Sequence, residues 1–180
     1  MIKKVFLAAI TSAMLIPLPA MADNSFAAHE SLWNTIPTIG VSVQLNNPKY
    51  CRSGNDGVYS PRDKTIVICQ DNATGRGQVD WTENDLDTLR HEAQHIVQDC
   101  AAGGIGDGYM GRLFPTQDEL IEFIHISGLS EDSIKSIIAH YSAAGLDEKG
   151  IWMELEAFAT AYSVEASMIE TKLIQFCSVK

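Results

Sequence analysis

The sequence predicts an α+β protein, with a small antiparallel β part followed by a mainly helical part and two disulfides. Three observations predict it. Strand signals, short apolar runs separated by turn residues, are confined to residues 39–69. From Thr82 onward one helix-capping residue follows another, and the last and longest helical stretch has an apolar repeat of threes and fours. The cysteines number four, an even count that points to two bridges in an exported chain.

The chain opens with Lys3 and Lys4, an apolar run over 5–18, and Ala20-Met21-Ala22 behind Pro17 and Pro19. That order is a secretory signal peptide cut after Ala22. Residues 23–180 are then expected to form a single domain, exported to the periplasm or secreted. The apolar run is shorter than the ~20 residues of a spanning helix, so no stable membrane association is expected after cleavage.

A short helix is expected over 25–33, then a strand over 39–45 that ends at Asn46-Asn47-Pro48. Strands at 57–60 and 65–69 flank Pro61-Arg62-Asp63-Lys64, which has the turn chemistry of a hairpin. Residues 70–80 read as a loop. Thr82 caps a helix running to about Asp99, with Asp85 in the first turn favouring the positive helix end. Five glycines and a proline make 101–115 a loop, which could close over a substrate or merely connect. Thr116 with Glu119 forms a capping box for a helix over 118–126, and Ser130 caps another that ends at Gly145. One last helix is expected over 147–176, with the stripe Ile151, Leu155, Phe158, Tyr162, Ile169, Leu173 and Phe176. Of three connectivities, Cys51–Cys69 would close the β unit and Cys100–Cys177 would tie the middle helix to the last. A cysteine metal site is disfavoured because no CxxC pair exists.

Chemistry concentrates in His91-Glu92-Ala93-Gln94-His95. Residues four apart share a helix face, so both imidazoles can reach one Zn²⁺. Glu92 stands beside them, placed to take a proton from an attacking water and return it to a leaving amine. Leu86, Leu89, Ala93, Ile96 and Val97 make the apolar face on the other side. A catalytic zinc needs a third protein ligand. His125 and His140 are lone histidines. Glu154 and Glu156 flank the apolar stripe of the last helix on opposite sides. Glu154 has Gly150, Ala157 and Ala161 as same-side neighbours, small enough to let another helix approach, and is the favoured ligand. An oxyanion donor is left open among Tyr109, Tyr162, His140 and Arg112.

The HExxH at 91–95 with Glu154-Leu155-Glu156-Ala157 downstream resembles the small gluzincin-type zinc metallopeptidases, and the hairpin before the motif helix is similar to their layout. The resemblance covers residues 55–165. It implies a zincin-like fold, with a small sheet over the active-site helix and an edge strand, that at 65–68, lining the cleft. It also implies Zn²⁺ held by His91, His95 and Glu154, with Glu92 as the catalytic base. Such families often carry Asp or Asn four residues after the glutamate ligand to orient a zinc histidine. Phe158 stands there, so either another group serves His91 or turnover is weak.

Loss of Lys3 and Lys4 with the leader takes the net charge from −10 to −12. Such a surface repels phosphate backbones and anionic lipid, so nucleic acid is not an expected partner. The expected partner is a peptide or protein substrate, hydrolysed at its peptide bonds. The competing functions are a zinc-binding periplasmic interaction module without turnover, and a zinc amide hydrolase acting on cell-wall material.

Overall fold

A computed structural model describes residues 26–52, 54–70 and 80–177. The expected signal peptide and most of the 70–80 loop lie outside the described residues. The architecture is α+β, in the order α1 Phe26–Thr38, β1 Ser42–Leu45, β2 Gly57–Ser60, β3 Thr65–Ile68, α2 Glu83–Ala102, α3 Gln117–Ser127, α4 Glu131–Ala143, α5 Glu148–Ser163, α6 Ala166–Cys177.

The sheet is mixed, not antiparallel. The expected hairpin forms, with Val58 opposite Val67 and Ser60 opposite Thr65. β1, however, runs parallel to β3 on its other side, with Ser42 opposite Thr65, so the strand order is β1-β3-β2. The 46–56 connection carries the chain away from β1 before β2 begins, and the centre of the sheet falls to β3. All four β3 residues are buried, as a strand paired on both sides and covered by helices must be. The matching ends of β1 and β3 are clamped by Asn46, whose side chain donates to Gln70 Oε1 at 3.2 Å and accepts from Gln70 N at 2.9 Å.

Two helix boundaries differ from expectation. α1 runs on to Thr38 and winds down through Ile39 and Gly40, where φ is +88°, so β1 starts later than residue 39. The single helix expected over 147–176 is two. Val164 is extended, with φ −110° and ψ 131°, and α6 turns there to lie against α1 and α2. The apolar stripe continues across the break, which is why spacing alone hides it. The expected caps are present. Thr82 with Asp85, and Thr116 with Glu119, form reciprocal capping boxes.

Both favoured disulfides are formed, Cys51–Cys69 and Cys100–Cys177. They fit an oxidising compartment. Among the described residues no helix is long and apolar enough to cross a membrane.

Two main cores result. One joins the sheet to α1, α2 and α6 through Leu32, Ile66, Ile68, Leu89, Ile96 and Ile169, and the other joins α3, α4 and α5 through Leu120, Ile124, Ile137 and Leu155. α2 belongs to the first and α5 to the second. The candidate site lies where these two helices meet.

Candidate metal centre

α2 is covered almost all round, and His91, Glu92 and His95 are buried with it. The apolar face formed by Leu86, Leu89, Ala93, Ile96 and Val97 packs inward as expected. The two histidines sit one turn apart with rings edge to face, and their Nε2 atoms are 3.1 Å from each other. From α5, Glu154 Oε2 reaches to 3.2 Å from His91 Nε2 and 3.4 Å from His95 Nε2. Four ligands placed tetrahedrally at about 2.0–2.1 Å from one ion lie about 3.3–3.4 Å apart, so these three separations match one face of such a tetrahedron. Glu154 Oε2 is buried without a hydrogen-bond partner among the described residues. Two imidazole nitrogens and an orphaned carboxylate oxygen aimed at one point can hold a metal ion.

The close approach of α5 depends on its small residues. Ala157 is fully buried and Ala161 nearly so. A buried arginine then staples the helices. Arg90 Nε donates to the Ala161 carbonyl at 2.8 Å, Nη1 meets His29 Nε2 of α1 at 2.9 Å, and Nη2 pairs with Asp87.

Electrostatics at the cluster follow from this packing. Burial raises the Glu154 carboxyl, but the two imidazoles outweigh it and hold the group well below the ordinary carboxylate range. Burial opposes charge on His95, yet the Glu154 carboxylate 3.4 Å from its Nε2, aided by the Glu92 charge, pushes its pKa up to about 9 in the absence of metal.

Glu92 is pushed up by its burial, against the pull of His91 and His95. β2 passes directly beside it, with Gly57 against the Glu92 side chain. β2 can lie this close only because residue 57 is glycine. A Cβ there would stand 2.5 Å from Thr88 Cγ2 and 3.2 Å from Glu92 Cγ. The strand beside the site is therefore β2, not the 65–68 strand expected from the resemblance. β3 is central and buried, and only the two edge strands, β1 and β2, have a side to spare.

A cleft of about 710 Å³ opens over the cluster, with β2 along one side and Ser136, Ile137, His140 and Tyr141 of α4 along another. Tyr141 is the residue that sequence reasoning missed. Tyr141 lines the cleft together with Glu154, and burial with that neighbouring charge raises its pKa. Nothing in "AHYSAA" marks it, because its role depends on α4 packing against α5. Of the earlier oxyanion candidates, His140 and Tyr162 line the cleft, whereas Tyr109 and Arg112 do not. Met110 brings the glycine-rich loop to the cleft instead. His125 is exposed at the end of α3, outside the cluster.

Glu156 points the other way. It is fully buried and accepts from Gln94, Gln98 and the backbone of Leu113. Phe158 packs its ring on His91, 4.4 Å between centroids, and His91 Nδ1 has no hydrogen-bond partner among the described residues. Among the described residues no other group replaces the missing acid at His91.

Comparisons with protein-family models, with curated proteins and with solved structures gave no match.

Proposed function

We propose that the protein is an exported zinc-dependent peptidase of the gluzincin type, with zinc on His91, His95 and Glu154. The observation that carries this reading is the convergence of those three ligand atoms, 3.1–3.4 Å apart, directly beside the Glu92 carboxylate in an open cleft. Two histidines and one glutamate with a fourth position open are the donor set of a hydrolytic zinc site. When bound, zinc supplies a Lewis acid that polarises a carbonyl and makes water acidic.

The remaining steps belong to the chain. Glu92 takes a proton from the attacking water, whose oxygen forms a bond to the carbonyl carbon. Glu92 then delivers that proton to the amine nitrogen as the C–N bond breaks. The burial that raises its pKa favours holding the proton between the two transfers. Tyr141, beside Glu154, is assigned as the O–H donor to the developing oxyanion. A peptide is favoured as substrate because β2 offers a sheet edge along the cleft, where an extended chain can add as a strand.

The test is zinc analysis of the purified protein together with digestion of casein and mixed peptides, set against Glu92→Gln. Bound zinc with cleavage that disappears in the variant is expected. Bound zinc with no Glu92-dependent cleavage would leave a zinc-binding module, and cleavage restricted to peptidoglycan fragments would redirect the reading to cell-wall amides.

A further inference from the structure

A buried polar chain leads away from the ligands. Gln98 lies within one turn of His95 and is fully buried. Its side-chain nitrogen is 3.1 Å from the Met153 carbonyl and 3.1 Å from Glu156 Oε1. The carbonyl only accepts, and the Glu156 oxygen accepts a second amide hydrogen from Gln94 at 2.8 Å. The Gln98 carboxamide is therefore fixed in one orientation, with its oxygen 2.8 Å from His95 Nδ1. An amide oxygen cannot donate, so Nδ1 carries a hydrogen in either charge state. In the neutral imidazole that a metal requires, the lone pair is then left on Nε2, the nitrogen that faces His91 and Glu154.

Among the described residues His91 has no such partner, and its ring packs on Phe158. The same two residues also pin the glycine-rich loop. Leu113 N donates to Glu156 Oε2 at 3.1 Å, and Gly111 N donates to the Gln98 backbone carbonyl at 3.2 Å. Immediately before the Gly111 anchor the loop carries Met110 to the cleft.

We propose that Gln98 and Glu156 are a positioning pair for the metal site: Glu156 locks the Gln98 carboxamide, and Gln98 sets His95 in its metal-binding tautomer. This rests on the reading of His91, His95 and Glu154 as a metal site. It assigns the second glutamate of the 154–156 segment a role distinct from the first. One glutamate binds, and the other orients a histidine on the neighbouring helix through an intermediate amide.

The experiment measures zinc affinity by competition with a chromophoric chelator, stability of the metal-free protein by urea unfolding, and the imidazole nitrogens of the zinc-loaded protein by ¹⁵N NMR. Gln98→Leu keeps the volume and removes the acceptor, and is expected to weaken zinc binding 10–100-fold, the order found when a partner of a metal histidine is lost. It also shifts the His95 Nδ1–H resonance expected in the native protein, because that N–H loses its hydrogen-bond acceptor. Glu156→Gln offers Gln98 an amide it can face either way, and weakens zinc similarly. The exchange variant Gln98→Glu with Glu156→Gln restores an acceptor toward His95 and a donor behind it, and recovers most of the affinity.

Unchanged zinc affinity in Gln98→Leu, whatever happens to stability, overturns the proposal. So does an exchange variant that binds no better than Glu156→Gln, which keeps the test decisive if Gln98→Leu fails to fold. A native protein that binds no zinc overturns the metal reading and this inference with it, whereas native binding that Gln98→Leu retains overturns this inference alone.

Discussion

Gly57→Ala tests how the edge strand is seated on the motif helix. The added Cβ would lie 2.5 Å from Thr88 Cγ2, 3.0 Å from the Val67 carbonyl oxygen and 3.2 Å from Glu92 Cγ. Carbon atoms in contact sit about 3.5–4.0 Å apart, so the Thr88 methyl alone is overlapped by about 1 Å. The Val67 oxygen is backbone and cannot rotate away. Such overpacking costs about 1–3 kcal/mol, and the smaller unfolded-state entropy of alanine returns about 0.4–1 kcal/mol. A net loss of about 1–2 kcal/mol is expected in urea unfolding.

Because β2 must lift or Glu92 must shift, peptide cleavage should fall further than stability. A displacement of about 1 Å at a reacting group costs about 10²-fold. Zinc affinity should not change, since neither ligand histidine nor Glu154 touches residue 57. The suppressor is Thr88→Ser. It deletes the clashing methyl and keeps the Thr88 hydroxyl bond to the Asn84 carbonyl at 2.7 Å. The double variant should regain most of both losses. A Gly57→Ala protein as stable and as active as the native one would refute the reasoning, and so would a loss that Thr88→Ser leaves untouched.

Three further outcomes are expected. Replacing Cys100 and Cys177 by Ser opens a bridge across 77 residues, and replacing Cys51 and Cys69 opens one across 18, so the loop-entropy relation gives losses of about 4.5 and about 3.2 kcal/mol in urea unfolding. An order reversed by more than the measurement error would show that chain entropy does not dominate. For pH, the raised His95 pKa stabilises the metal-free protein fully below its unfolded value of 6.5, and that contribution is lost as pH rises through about 9. The depressed Glu154 contributes above 4.5 and is lost as pH falls through its folded value, so the pair stabilises most between 4.5 and 6.5. Zinc needs neutral imidazole, so the Tm gap between zinc-saturated and chelated protein should widen from pH 6 to pH 9, and a constant gap would contradict it. Tyr141→Phe, assayed at saturating zinc, should lower kcat about 10²-fold with KM little changed, and full kcat would remove Tyr141 from the oxyanion role.

The parts of the site legible in the sequence are those written locally. His91, Glu92 and His95 follow from one helix period, and the Cys51–Cys69 bridge from a hairpin that turn residues announce. Glu154 was separable from Glu156 because small neighbours on one face mark where another helix comes close. What required the structure depends on contacts between distant segments. Val164 breaks the last helix because α6 has to reach α1 and α2, and no proline or glycine marks the place. β1 pairs with β3 across the whole hairpin, so sequence neighbours mislead about which strand is the edge. Tyr141 and Gln98 carry no pattern of their own, and their partners are on other helices.

The seam between the two cores has a mechanical consequence. The imidazoles ride with the sheet half of the molecule, while their carboxylate rides with the bundle of α3, α4 and α5. A bound ion would act as a rivet between two halves that otherwise meet along a single pair of helices at this point. Damage deep in the bundle, at Leu120 or Ile124 for instance, would then register first as leaking metal, well before the protein as a whole comes apart.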